Sequence, residues 1–231
     1  MTVIGVLGEL LITAGILVLA FLGWQIWLGD LIMGAQLDGE AHEITAEWQK
    51  GDSGAAVGAP DDPPVPAEPA NAQTIGVMLI PRFGDDYARP IAQGIGIRDV
   101  LNEGRIGHYP GTQMPGEIGN FSVAAHRTAY GGNFHNLDEL RIGDRIYIET
   151  EAGWYSYVFR NLEYVHPTGV GVIDPVPQTV GVEATDRLIT LTTCNPLLSV
   201  AERIVAYGVF DRWYPRADGP PDELAAIQGA G

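Results

Sequence analysis

Hydropathy divides the chain unequally. Residues 10–29 (LLITAGILVLAFLGWQIWLG) contain no charged side chain. Twenty residues at about 1.5 Å each make a helix of about 30 Å, the thickness of a bilayer's hydrocarbon core. Trp24 and Trp27 fall near its C-terminal end, where interfacial aromatics are favoured, and Glu9 marks the opposite boundary. A cleaved signal peptide calls for a basic leader and a shorter apolar stretch, and neither is found. The run therefore predicts a single-pass anchor. Its flanks carry no nearby Lys or Arg, so they give no orientation.

Beyond the run, residues 35–50 (AQLDGEAHEITAEWQK) predict a short helix, weakened by Gly39. Residues 51–73 are dense in Pro, Gly, Ala and Asp, lack apolar periodicity, and predict an extended, semi-rigid spacer. From residue 74 the pattern turns to short strands. Residues 75–80 form an apolar run closed by Pro81, and 120–125 form another. Residues 144–150 alternate Ile146, Ile148 and Thr150 against Tyr147 and Glu149. Glu151-Ala152-Gly153 then signals a turn, and 154–159 return as a partner strand. Residues 187–194 (RLITLTTC) and 203–210 (RIVAYGVF) are β-branched and joined by a Pro-containing loop. Close-spaced strands without long amphipathic helices predict a mainly β barrel or sandwich. The tail after Trp213 reads as disordered. The resulting division is an anchor (1–30), a juxtamembrane segment and linker (31–73), a β domain (74–213) and a tail (214–231).

Composition narrows the function. The 231 residues hold 13 basic and 29 acidic side chains, a net charge of -16. Phosphate backbones repel such a chain, which argues against nucleic-acid binding. The single cysteine, Cys194, excludes an internal disulfide and a cysteine-rich zinc site. Lone cysteines are commonly buried core fillers. In an exported domain, however, a free thiol is open to oxidation and needs a reason to persist.

Cys194 ends its strand, with Leu188, Thr190 and Thr192 on the same face by the period of two. Arg203 opens the next strand, so an antiparallel pairing sets it beside Cys194. A guanidinium there favours the thiolate and can donate hydrogen bonds to an oxyanion. Among the histidines, His42 precedes the linker, His108 and His166 adjoin prolines or a Tyr-Pro turn, and His135 lies in a Gly/Asn loop. His126 alone closes a strand-like run (FSVAAH), as Cys194 does, and can serve as base and then as acid. The order His, Cys, Arg differs from papain-like enzymes, in which the cysteine comes first.

These residues sit in recognisable surroundings. PGEIGNFSVAAHR (115–127), FHNLDELRIGD (134–144), TLTTC (190–194) and the downstream Arg203 together resemble the sortases, and TLTTCNP with the anchor resembles class E. The resemblance spans about residues 74–212. It implies a closed β-barrel with short helices in its connections. It also implies a transpeptidase that cuts a C-terminal LAxTG or LPxTG signal between Thr and Gly. The route is a thioester on Cys194, with His126 as acid/base and Arg203 at the oxyanion. Thr193 and Tyr130 are candidate substrate-binding residues, Tyr130 for the signal's second position. The implied partners are exported proteins bearing the signal, a peptidoglycan precursor amine (lipid II stem or cross-bridge) and the membrane. The implied placement is a cytoplasmic N-terminus with the barrel facing the wall. No cofactor or metal is expected, since Asp138, Glu139 and Asp144 read as a solvated turn. The alternatives are a pilin-polymerising sortase, for which Asp61-Asp62-Pro63-Pro64 lacks the expected aromatic, and a tethered, non-catalytic binding module.

Overall fold

The computed structural model describes residues 3–24, 28–51 and 58–228. Trp27 lies outside them. Two helices come first, α1 (Val3–Gly23) and α2 (Gly29–Lys50). Eight strands follow: β1 (Thr74–Leu79), β2 (Ala88–Gln93), β3 (Ile106–His108), β4 (Gly119–Ala124), β5 (Arg145–Thr150), β6 (Gly153–Val165), β7 (Arg187–Asn195) and β8 (Glu202–Pro215). A short α3 (Asp222–Gln228) comes last among the described residues.

The strands close into a barrel in the order β1-β2-β3-β4-β7-β8-β6-β5. Two pairs are parallel, β2 with β3 and β4 with β7, and the others are antiparallel. Closure leaves no unpaired edge strand among the described residues. Alternate residues point inward, so Phe121 and Val123 of β4 meet Ile189 and Leu191 of β7 and Ile204 and Ala206 of β8 in one core. The turn after β5 needs a glycine. Gly153 sits at φ +148°, and a Cβ there would lie 2.1 Å from the Tyr214 carbonyl oxygen.

Helix α1 is long and apolar enough to cross a membrane, and none of it is buried in the protein. It starts seven residues before the uncharged run and takes in Glu9. Helix α2 starts at Gly29, earlier than the expected residue 35, and lies against β2. Leu37 and Ala41 are buried, and Asp38 pairs with Arg89 and accepts from the Ala88 N–H. Glu40 pairs with Arg105. The juxtamembrane helix is thus part of the folded unit.

Two expectations are corrected. Residues 58–73, expected as an extended, semi-rigid spacer apart from the domain, are extended but lie against the barrel. Their extended backbone has few internal partners, so its carbonyls take donors from the barrel. Pro60 O accepts from Trp213 N at 2.8 Å, Pro64 O from the Tyr155 hydroxyl at 2.7 Å, and Asp62 pairs with Arg187 at 2.9 Å. Nor is the tail from 214 disordered throughout. Residues 214–215 complete β8, and Leu224 of α3 is 4% exposed against Tyr147 and Trp154. Arg216 lies over the Trp154 ring, 4.6 Å from its centroid, and pairs with the buried Glu149 at 2.9 Å. The burial missing from the tail's own sequence is supplied by β5 and β6.

Removing Arg216 leaves Glu149 charged, buried and without its cation. Arg216→Met is expected to lower unfolding stability by about 3 kcal/mol at pH 7, read from urea melts. Burial already raises the Glu149 pKa, so the deficit should shrink on acidification as the carboxyl takes up a proton. A loss below about 0.5 kcal/mol, the scale of an exposed pair, would count against this role for the tail.

Candidate active site

Strand β7 positions the site because it is paired on both sides. Its sequence, RLITLTTCN, is rich in β-branched residues, and covered strands favour such near-continuous runs. On one side the parallel register with β4 runs from Gly119↔Arg187 to Ala124↔Thr192. On the other, the antiparallel register with β8 sets Cys194 directly opposite Arg203. Residues facing each other across a ladder project to the same face. The sequence expectation for this pair therefore matches the register.

His126 follows β4 by two residues. Pairing continues past Ala124, since the Ala125 N–H donates to Thr192 O at 3.2 Å and the Thr193 hydroxyl to Ala125 O at 2.8 Å. Continuing the parallel register by two residues aligns position 126 with position 194. Cys194 is half-buried, with the His126 segment on one flank and Arg203 on the other. Thr193 is 2% exposed and its hydroxyl is committed to Ala125. Its side chain clamps β7 to the end of β4.

The imidazole of His126 is held from two directions. Asn102, in a 3-10 turn at Leu101–Glu103, sets its amide oxygen 3.0 Å from Nε2, favouring the tautomer with the proton there. Tyr130 packs against the ring at a centroid distance of 5.1 Å. Burial lowers the His126 pKa below the usual 6.5, and the Asp30 carboxylate opposes that shift. The neutral ring therefore predominates at pH 7. The other histidines are engaged elsewhere or apart. His108 is buried between Gln93 and the Gln113 carbonyl, His135 faces the Arg127 carbonyl, and His42 lies on α2. His166 borders a groove described below.

Behind the three residues runs a brace that sequence reasoning missed. Arg127 is buried and donates to Asn195 Oδ1 at 2.5 Å and to Asp138 at 2.8 Å. Asn195 Nδ2 donates to Glu202 Oε2 at 2.8 Å. Each member is the chain neighbour of a site residue: Arg127 of His126, Asn195 of Cys194, Glu202 of Arg203. One polar line ties the three backbone segments together. Asp138 and Asp144, grouped in the sequence as a solvated turn, are each held by an arginine, Asp144 by Arg82 at 2.7 Å. Asn102 gave no sequence signal, whereas Arg127 and Asn195 were visible only as neighbours of better candidates.

Arg203 Nη1 donates to the carbonyls of Val200 and Glu202 at 3.0 and 2.8 Å, which fixes the guanidinium on the face it shares with Cys194. Beside it a groove is lined by Tyr109, Thr192, Val205, Val170 and Ile173, with His166 at its border. The Tyr109 hydroxyl meets Thr192 Oγ1 at 2.9 Å. Asn120 Nδ2 reaches the Val172 and Asp174 carbonyls and its Oδ1 accepts from Thr190. These bonds hold the 170–174 segment over the outer face of β4 and β7. Arg203 also lines this groove, which lies on the face of β7 that carries Thr192 and Cys194.

Comparison with known proteins agrees with this geometry. Residues 78–211 match the sortase domain family. Sortase SrtE1 of Streptomyces coelicolor is 34% identical over 95% of this chain, which spans 60% of that protein's length. Sortase SrtE2 of the same organism is 32% identical over 96% of this chain and 88% of its own. The solved structure of Sortase E1 from Streptomyces coelicolor, with a tripeptide in its active site, superposes with a TM-score of 0.62 at 36% identity. That match covers 66% of this chain and 97% of the other. A closed barrel, a thiol opposite an arginine, and these likenesses lead to one conclusion: the chain belongs to the sortase family of cysteine transpeptidases, in its class E group.

Proposed function

We propose that this chain is a membrane-anchored transpeptidase acting on a C-terminal LAxTG or LPxTG signal. It would cut between Thr and Gly and pass the exported protein to a peptidoglycan precursor amine. The observation that carries the reading is the half-buried Cys194 thiol on the strand between the His126 segment and Arg203. The tripeptide in the relative's active site supports a peptide substrate. The apolar α1 supports a single-pass anchor. Since the wall lies outside the membrane, the reading puts the N-terminus in the cytoplasm and the barrel outside.

In the first half-reaction, neutral His126 takes the proton of the Cys194 thiol as Sγ adds to the Thr carbonyl carbon. The oxygen gains the negative charge, and the remaining N–H groups of Arg203 donate to it. As the C–N bond breaks, His126 as imidazolium gives its proton to the leaving Gly nitrogen, and the thioester remains. In the second, the precursor amine adds to the thioester carbon and yields a proton to neutral His126. The C–S bond breaks, and the departing sulfur takes that proton back from His126, which restores the thiol and the neutral ring. Arg127, Asn195 and Glu202 keep the three groups in register and touch no reacting atom. Tyr130 packs on His126 and is 43% exposed, which suits a residue that reads the signal beside the acid/base.

Three outcomes are expected. Incubation with LAxTG and LPxTG peptides should give an acyl adduct on Cys194 by mass spectrometry, absent in Cys194→Ala. A folded protein that forms no adduct with either peptide would refute the transpeptidase reading. Asn195→Ala, which unlinks Arg127 from Glu202, should lower kcat/KM roughly tenfold, the equivalent of one charged hydrogen bond, while leaving the adduct on Cys194. Finally, the acid limb of the kcat/KM profile should lie below pH 6.5, because burial depresses the His126 pKa. Asp30→Asn removes the charge that opposes this and should move the limb lower still. A limb that moves upward would contradict the assignment.

A further inference from the structure

We propose that the loop between β7 and β8, residues 196–201, is a membrane seat. Its leucines enter the surface of the bilayer that α1 crosses and hold the Cys194 end of the barrel against the lipid. The inference rests on the anchor reading above and adds a second point of membrane contact. The partner surface is a lipid bilayer, contacted through apolar side chains rather than through charge.

The geometry starts at the first turn of α2. The Asp30 carboxylate accepts from the Ala129 N–H at 2.8 Å and from the Gly131 N–H at 3.2 Å, pinning the start of α2 to the loop after His126. Leu31 then shares one cleft with Leu197 and Leu198, floored by Thr128, Gly131 and His135. Leu31 lies only eight residues beyond the end of α1, so the chain cannot carry it more than about 28 Å from that end. Headgroup layers extend several ångströms beyond the hydrocarbon on each side. Whatever borders Leu31 is therefore held close to the lipid surface, and what borders it is the loop following Cys194.

The side chains there are unsuited to water. Leu31 is 70% exposed, Leu198 71% and Val200 69%, with Leu28 and Ile32 also exposed. Isolated exposed apolar residues are ordinary, but a group beside the end of a membrane-length helix marks an interaction surface. Leu198 also sits at φ +61°, in the left-handed region that favours Gly or Asn. A large apolar side chain that is both exposed and left-handed does nothing for the folded state in water, and such positions mark function. Residues 24–40 contain no Lys or Arg and the chain carries -16 overall. Seating must therefore be apolar, insensitive to salt and independent of anionic lipid. A site at this height meets a lipid-linked acceptor in the plane where that acceptor moves.

The test uses the full chain in phosphatidylcholine vesicles, in a Cys194→Ala background, with one nitroxide on Leu198→Cys. Companion labels sit at Thr13→Cys in α1 and at Val180→Cys, a 92% exposed position in the β6–β7 connection. Collisions with oxygen report lipid, and collisions with a water-soluble nickel chelate report solvent. The expected result is a severalfold preference for oxygen at both 13 and 198 relative to 180, unchanged by high salt. A lipid-like signal at 13 with an aqueous one at 198 would overturn the seat and leave the anchor standing. An aqueous signal at 13 would overturn both. Protection at 198 that depends on added sorting-signal peptide would make the cleft a peptide site instead, and would also overturn the inference. As a second measurement, Leu198→Asn, which suits the backbone, should leave cleavage of a soluble peptide unchanged. It should cut transfer to an amine-bearing lipid in vesicles severalfold. Equal loss in both assays would count against the seat.

Discussion

The double pairing of β7 is the constraint on which the rest of the site depends. A thiol at the end of an edge strand would move with every local opening of the sheet. Here β7 is hydrogen-bonded to β4 and to β8 along its length, and two further bonds extend the β4 pairing past Ala124. Register alone then decides what flanks Cys194. A slip of one residue on either side would turn Arg203 or Cys194 to the opposite face. The cores of β4, β7 and β8 interlock through Phe121, Val123, Ile189, Leu191, Ile204 and Ala206, so the apolar packing that stabilises the barrel also fixes that register.

The polar brace supplies what a ladder cannot. Backbone pairing sets the heights of residues 125 and 193 but leaves the chain after each strand to diverge. Arg127, Asn195 and Glu202 link the divergent ends, with Asp138 compensating the arginine's charge. Arg127 is buried, and a buried guanidinium must have its donors occupied. The line is therefore specific as well as cohesive, since each member needs the next.

Much of the barrel was legible in the sequence because period-two alternation and turn chemistry are local. The expected 144–150 and 154–159 runs correspond to β5 and the start of β6, and Cys194 faces Arg203 as a hairpin-like return predicts. The omissions share a cause. Strand β2 contains Pro90 and β3 has only three residues, so neither shows a strand-like run, and both exist through their partners. The tail and residues 58–73 looked unstructured because the groups that hold them, Glu149, Trp154, Tyr155 and Trp213, are distant in sequence. Asp30 looked like the end of an apolar run, although its carboxylate caps a loop some hundred residues further along. His126, Cys194 and Arg203 could be selected by type and position. Asn102 could not, since a lone Asn in a loop resembles any other.

The docking of α2 has a further consequence for how far the barrel can travel. A domain on a long, free linker explores a volume set by that linker's length. Here α2 is committed to β2, so only the few residues from Gly23 to Gly29 separate the end of α1 from the folded unit. At full extension that is roughly 20 Å. If α1 crosses the membrane as proposed, so short a connection keeps the thiol out of the depth of the wall. On that reading its encounters are confined to a thin sheet above the bilayer, where a reactant that shares the sheet has a high effective concentration and one that has left it is out of reach.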